Sequence, residues 1–331
     1  NHYLVATSSG GLWETRNRGT TWTPLFDGQS SYGLGVVEVG PADQNIIWVG
    51  SGENNAQRSV AYGDGVYKSI DGGRTWENMG LADSGHISQL WINPKNEDHV
   101  LVAAQGPLWN SGGDRGLYRS EDGGETWEQI LAIDEHTGIN EFVVHPDNPD
   151  LILASSYQRR RHVWTLINGG SGSGIHRSLD GGATWNEISA GLPKDDMGRI
   201  GLAMSPAAPN TLYSIIEASE EEQGVYRSTD FGQHWEKRSN HMTTSPQYYN
   251  EIVADPHNPE RLYSLDTYTW VSEDGGSSFQ RLSADHRHSD DHALWIDPDF
   301  TDHLLIGGDG GIYESWDQGQ TWAHVDNLPI V

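Results

Sequence analysis

Cysteine is absent from the 331 residues, which excludes disulfides, thiol nucleophiles and thiolate metal sites together. Basic residues are scarce: 20 Lys and Arg stand against 47 Asp and Glu, a formal charge of −27. That balance argues against nucleic acid as a partner, because its binding relies on Lys and Arg displacing counterions. It favours solubility and, more weakly, cationic partners or metal ions. Long apolar runs are missing as well. No stretch approaches the roughly 18 residues of a membrane helix, so no direct membrane insertion is expected. No charged-then-apolar leader opens the chain. Asn1 is therefore expected to be a processed end or the first residue of a segment of a longer chain. The lack of cysteine fits an exported protein but is shared by many cytosolic ones, so composition alone does not settle the compartment; a secreted, periplasmic or cell-surface setting is the expectation.

What is plentiful is glycine, 40 residues, and tryptophan, 14, in a chain only 35% hydrophobic. This is the composition of a turn-rich β-protein rather than a helical one. The stretch RSEDGGETW, Arg119 to Trp127, places Glu121 and Asp122 beside two glycines. It could be a catalytic pair, a calcium loop or a turn. Recurrence decides. TRNRGTTW from Thr15, SIDGGRTW from Ser69, SEDGGETW from Ser120, SLDGGATW from Ser178, STDFGQHW from Ser228, SEDGGSSF from Ser272 and SWDQGQTW from Ser315 are seven copies of one motif. Their starts lie 54, 51, 58, 50, 44 and 43 residues apart, the period of propeller blades. A motif used seven times is scaffold. Its Asp can accept backbone N–H bonds two residues on, its Gly supplies positive φ, and its Trp buries a large face. One carboxylate per loop is too few for a typical calcium site.

Two further strands complete each repeat. An apolar one ends at a proline turn, as in ISQLWINPKNED and INEFVVHPDNPD; another follows at once, as in HVLVAAQ and LILASSY. Calling the four strands a to d, the motif joins c to d. Seven c–d motifs accompany six a strands, and NHYLVATSS at the start matches a b strand. The expected fold is thus an all-β, seven-bladed propeller of four-stranded antiparallel blades, the first lacking its inner strand. The blades are expected near 1–30, 31–80, 81–132, 133–191, 192–240, 241–283 and 284–331. Either the tail DNLPIV supplies the missing strand or the chain is a fragment of a longer multi-propeller protein; its shortness favours the fragment.

The segments GSGENN, GDGVYKSIDGGRTW, DSGHISQLWINP, GRIGLAMSP and HALWIDP carry a family likeness. The chain resembles the Asp-box (BNR) propellers of the sortilin type, especially large exported bacterial proteins labelled "glycosyl hydrolase". The resemblance covers nearly all of the chain and implies the fold, with further propeller domains beyond this one. Activity does not follow from it, because the Asp box also occurs in sialidases and in receptors. GRIG at Gly198 departs from the sialidase arginine motif, and the cysteine-rich module of sortilin receptors is absent.

Antiparallel order puts the a–b and c–d loops on one face and the b–c and d–a loops on the other. The first set is uniform. The irregular segments, Gly52–Asp64, Gln105–Arg115, Tyr157–Ser173 and Glu217–Gln223, all fall on the second, where long loops on a rigid scaffold usually bind. The candidate binding residues there are Glu53, Asn54, His86, Arg159, Arg160, Arg161, Trp164, Glu217, Tyr248 and His292. The three arginines with Trp164 suit a carboxylate, sulfate or uronic acid with a ring stacked beside it, or else pair with the acidic EASEEEQ loop. Their joint replacement by alanine is expected to weaken binding without altering thermal stability. In DHRHSDDHALWIDP an extended chain would align His286, His288, Asp290 and His292 as ligands for a divalent metal; the alternative is a polar loop. His86 is expected to match His292 in another blade, with His136 near the equivalent place in a third. No cofactor is otherwise required.

The expected function is a binding or interaction module for a glycan, peptide or partner protein. The alternatives are a structural subunit of a surface assembly and a polysaccharide-active enzyme, hydrolase or lyase. For the enzyme, carboxylates just after b strands (Glu53, Glu217, Asp266 and Asp309) are the natural candidates, since glycosidases need two carboxyls flanking the bond they cleave.

Overall fold

A computed structural model describes residues 2–330. Its regular structure among those residues is entirely β, in seven sheets. The first has three strands, Tyr3–Ala6, Leu12–Thr15 and Thr23–Pro24. The second runs Leu34–Val39, Ile47–Ser51, Val66–Ser69 and Glu77–Asn78; the third Ile87–Asn93, Asn96–Ala104, Gly116–Ser120 and Glu128–Leu131. The fourth contains Thr137–Val144, Ile152–His162, Gly174–Ser178 and Asn186–Ile188, with Thr165–Asn168 as an extra strand on Ile152–His162. The fifth is Ile200–Met204, Leu212–Ile216, Gly224–Ser228 and Glu236–Ser239; the sixth Glu251–Ala254, Leu262–Leu265, Trp270–Ser272 and Gln280–Arg281. The seventh is Asp291–Ile296, Leu304–Gly308, Gly311–Ser315 and Ala323–His324. These sequential antiparallel meanders are the blades of a seven-bladed β-propeller. The tail near Pro329 forms no strand beside Tyr3–Ala6; Ile330 instead lies against Gly10.

The chain divides into two compact units. The first carries the opening three sheets and continues to Phe142, with Ser156–Asn168 added. Its core lies between successive sheets: Trp48 and Val66 of the second pack with Ile87, Leu90, Val100 and Val102 of the third. The second unit holds Val143–Ser155 and Gly169–Leu328. There Leu202, Leu212, Ile216 and Tyr226 of the fifth sheet pack with Leu153 and Ile175. In both, the alternating strand pattern delivers one apolar face to the neighbouring sheet. The outermost strands are short and mostly exposed, as at Glu77–Asn78 and Gln280–Arg281, which leaves little free edge for unwanted pairing.

The Asp motif behaves as a hairpin clasp. Ser120 Oγ accepts the Gly124 N–H at 2.8 Å and donates to Asp122 Oδ1 at 2.8 Å. The same Oδ1 accepts the Thr126 N–H at 2.9 Å, and Asp122 Oδ2 accepts the Thr126 hydroxyl at 2.6 Å. These bonds, the Thr126 hydroxyl foremost, pull the Asp122 carboxyl down to about 2. Asp71 and Asp274 repeat the arrangement through Thr75 and Ser278 and are likewise lowered to about 2. In the first sheet Asn17 does the same work, accepting the Thr21 N–H at 2.9 Å. Gly124 sits at φ +97, where a Cβ would fall 2.4 Å from the Trp48 ring; only glycine fits. Trp185 and Trp235 bond within their own motifs, to the carbonyls of Gly182 and Gly232, and three other motif tryptophans reach backwards. Trp76 Nε1 donates to the Leu25 carbonyl, Trp127 Nε1 to Met79 and Trp322 Nε1 to Ser283, each in the preceding sheet. Trp22 Nε1, in the first sheet, is buried and finds no acceptor among the described residues.

Candidate functional site

The irregular loops of the first unit pack on one another. Glu53 is pinned within its own loop, its carboxylate accepting the Asn55 side-chain amide at 2.5 Å and the Ala61 N–H at 3.1 Å. Asn54 Oδ1 accepts from Gln105 Nε2 at 2.6 Å, and the same nitrogen donates to Asn140 Oδ1 at 2.7 Å. Arg115 is buried among carbonyls, donating to those of Gln105 (2.7 Å), Gly112 (2.9 Å) and Asn110 (2.8 Å) and also to that of Pro107. Burial lowers its pKa to about 10. His86 is fully buried with the half-exposed Tyr62 ring 5.2 Å away. Desolvation first, then the Arg159 and Arg115 guanidiniums, hold it neutral well below its usual range. The Glu53 backbone, a larger influence than Arg115, acts in the other sense, although the pair falls short of a well-formed hydrogen bond.

The arginine run is a strand rather than a loop. Ile152–His162 continues through it and turns at Val163 and Trp164 into Thr165–Asn168, pairing Arg159 with Asn168 and His162 with Thr165. Strand alternation therefore splits the run. Arg159 and Arg161 are buried and donate to the Asn55 and Ala56 carbonyls, both at 2.6 Å, while Arg160 is half-buried. Two of the three guanidiniums thus serve the backbone of a neighbouring loop, and their removal cannot leave stability untouched. Trp164 stands at the hairpin tip, 81% exposed and stacked on His162.

In the second unit the starts of a strands and the ends of b strands in the sixth and seventh sheets meet at one edge. His292 stacks on Tyr249 (5.2 Å, 13°) and meets Tyr248 edge-on at 4.5 Å. Its Nε2 lies 3.6 Å from Asp309, which is exposed. The Tyr249 hydroxyl donates to Asp290, and burial with that carboxylate raises its pKa. Asp266 is buried and accepts the Thr244 N–H. His292 is the extra residue of a β-bulge, since Asp291 pairs with Gly308 and Ala293 with Gly307. Bulges re-aim side chains. The same register places Ser88, between Ile87 and Gln89, as its counterpart in the third sheet. His86 therefore does not match His292.

Two residues that the sequence reading passed over complete this edge. Glu251 opens its strand with 32% of its side chain accessible, yet protein surrounds it enough for desolvation to raise its pKa, against the pull of Arg199. Arg199, almost fully buried, reaches Glu251 at 3.4 Å and the Tyr248 carbonyl at 3.2 Å. Glu217 accepts the Arg199 N–H at 3.0 Å, which assigns it to holding that segment. The signal for Glu251 lay in the dipeptide Asn-Glu, present at the start of a strands in INEFVV and NEIVAD. Asn250 adopts φ 68 and Asp290 φ 70, the left-handed region that non-glycine residues occupy at a cost and that clusters at functional sites. His286 also lies at φ 63. With His286 and Asp290 both left-handed, the stretch is not extended and the alternation that would align His286, His288, Asp290 and His292 does not operate. Among the described residues no group of three or more His, Asp or Glu is placed to hold a metal ion.

Comparison with known proteins places these features among relatives. The family model described as Sortilin-Vps10 (sortilin, neurotensin receptor 3) matches residues 64–171. A xyloglucanase of Acetivibrio thermocellus is 25% identical over 221 residues, 56% of this chain and 23% of that protein. A probable oligoxyloglucan-reducing end-specific xyloglucanase of Neosartorya fischeri is 24% identical over 250 residues, 71% of this chain and 27% of that protein. The chain spans about a quarter of the length of these curated relatives. Among solved structures, the GH74 xyloglucanase from Xanthomonas campestris aligns with a TM-score of 0.67 at 19% identity, over 98% of this chain and 51% of that one. YCF48 from Cyanidioschyzon merolae gives 0.55 at 14% identity, over 87% of this chain and 84% of that one. Neighbours of such different names share the architecture, so the structural likeness shows the fold; the chain is similar to Asp-box propellers on both sequence and structure.

Proposed function

We propose that this chain is the propeller portion of a glycoside hydrolase acting on a neutral polysaccharide of the xyloglucan class. The observation that carries the reading is the sequence similarity to xyloglucanases over more than half of the chain. The edge around His292 supports it chemically. Tyr248 and His292, both partly exposed, offer ring faces for a sugar, with the buried Tyr249 stacked behind His292. Glu251, kept protonated to higher pH by burial, suits the proton donor to a leaving glycosidic oxygen. Asp309, exposed beside His292, suits the second carboxylate that hydrolysis of either stereochemistry needs. Arg199 then positions Glu251. The remainder of a longer chain would complete the binding cleft, and an exported protein is the form in which such a substrate is met.

Reducing-end release from xyloglucan, a mixed-linkage glucan and an acidic glycan tests this directly. The wild-type protein should act on a neutral polymer, and Glu251→Gln or Asp309→Asn should each reduce release by about 100-fold or more. Because the donor must be protonated, activity should fall as pH rises through the Glu251 pKa. Retained polymer binding with no release from any glycan would leave a binding module instead. Release unaffected in both variants would move the chemistry elsewhere.

A further inference from the structure

On the face formed by the Asp motifs and the proline turns, only the seventh sheet carries aromatic rings at two of the turn positions. Two residues after the turn proline, earlier sheets carry Asp43, Asn96, Asn148, Ala208 and Asn258; the seventh carries Phe300. At the second position of the motif, the others carry Arg16, Ile70, Glu121, Leu179, Thr229 and Glu273; the seventh carries Trp316. Phe300 and Trp316 are 48% and 43% exposed, with ring centroids 6.3 Å apart. Trp295, 42% exposed, completes the group through His303.

His303 makes the surface rigid. It is buried, parallel to Trp316 at 3.7 Å and edge-on to Trp295 at 5.5 Å. Its Nδ1 lies 3.1 Å from Asp297 and its Nε2 2.8 Å from Glu314, so both ring nitrogens are held. The third sheet supplies an internal comparison: His99 meets Trp91 at 5.5 Å and 86°, the same geometry, but Asn96 and Glu121 stand where Phe300 and Trp316 do. The histidine–tryptophan pair is therefore common framework. The two extra rings are not needed to build it.

We propose that Trp316, Phe300 and Trp295 form a stacking platform for a neutral glycan chain, separate from the edge around His292. Half-exposed, immobilised rings suit the apolar faces of sugars, and Asp297, Asp299 and Glu314 around them can accept hydroxyl hydrogens. The same carboxylates, on a chain of charge −27, disfavour an anionic glycan and a second copy of this chain alike. The choice of a neutral glucan rests on the hydrolase reading above; the platform itself does not.

The test is affinity electrophoresis of the whole protein in gels containing xyloglucan or a mixed-linkage glucan, beside the double variant Phe300→Asn/Trp316→Glu. Those are the residues of the third sheet, so the fold should hold, as thermal melting would verify. The variant should bind polymer about tenfold more weakly, about 1.4 kcal/mol, while release from a short soluble oligosaccharide stays unchanged. Equal retardation of variant and wild type, or no retardation of the wild type by either glucan, overturns the platform. So does a wild-type dimer in light scattering that the variant abolishes, since a second copy would then cover the rings. Retardation that the variant loses, in a protein releasing no sugar, keeps the platform and removes the hydrolase reading.

Discussion

Ser120 shows how little a single residue need do to be indispensable. Its Oγ is the acceptor for a buried Gly124 N–H, so Ser120→Ala strands that donor and should cost about 1–3 kcal/mol in chemical denaturation. This was legible from sequence because the clasp is local: every partner lies within a few residues, and seven copies expose the pattern. Arg159 is the opposite case. Its acceptor, the Asn55 carbonyl, lies 104 residues away, so no local rule distinguishes it from Arg160. Arg159→Ala should destabilise by about 1–3 kcal/mol, whereas Arg160→Ala and Trp164→Ala should leave the melting temperature nearly unchanged. Equal effects of Arg159→Ala and Arg160→Ala would contradict the split of the run across two faces.

Strands were readable as elements wherever apolar alternation met a proline or Asp turn. Bulges and extra hairpins were not. The strand Ile152–His162 looked like a loop because its polar half pairs with Thr165–Asn168 instead of a core strand. The bulge that aims His292 has counterparts between Leu34 and Val36, at Gly35, and between Ile87 and Gln89, at Ser88. Since the bulge tolerates glycine and serine there, His292→Ser should fold with an unaltered melting temperature yet lose the ring stack on Tyr249. Polysaccharide turnover should fall with it. A variant that unfolds would make His292 a structural prop. Glu251 and Arg199 escaped notice because their pairing joins two sheets, and one sequence carries no record of which polar residue faces which.

For the whole molecule, pH is the informative variable. Asp71, Asp122 and Asp274 have folded pKa values depressed to about 2 from a reference of 3.8. They contribute stability above the reference value that is lost as pH falls through about 2. Glu38 runs the other way: burial lifts it from 4.5 to about 7, so the folded state binds the extra proton and loses stability as pH rises across that interval. Burial also holds His86, His176 and His241 below the usual histidine value of 6.5, so melting temperature should fall as pH drops below that value as well as when Glu38 ionises. Glu38→Gln should flatten the alkaline side, with a gain on the order of 1 kcal/mol at pH 8 once solvent screening is allowed for, and little change at pH 4. A variant with the wild-type profile would show that Glu38 is solvated in solution.

The backward reach of Trp76, Trp127 and Trp322 gives the chain a polarity. Trp76 and Trp127 each dock on a carbonyl made earlier in synthesis, so a nascent strand emerging from the ribosome finds its anchor point already waiting. Trimming from the carboxyl side removes a guest and leaves its host intact; trimming from the amino side removes the host and strands the guest. Tolerance to shortening should therefore be lopsided, and any engineered exchange of blades would have to respect that direction.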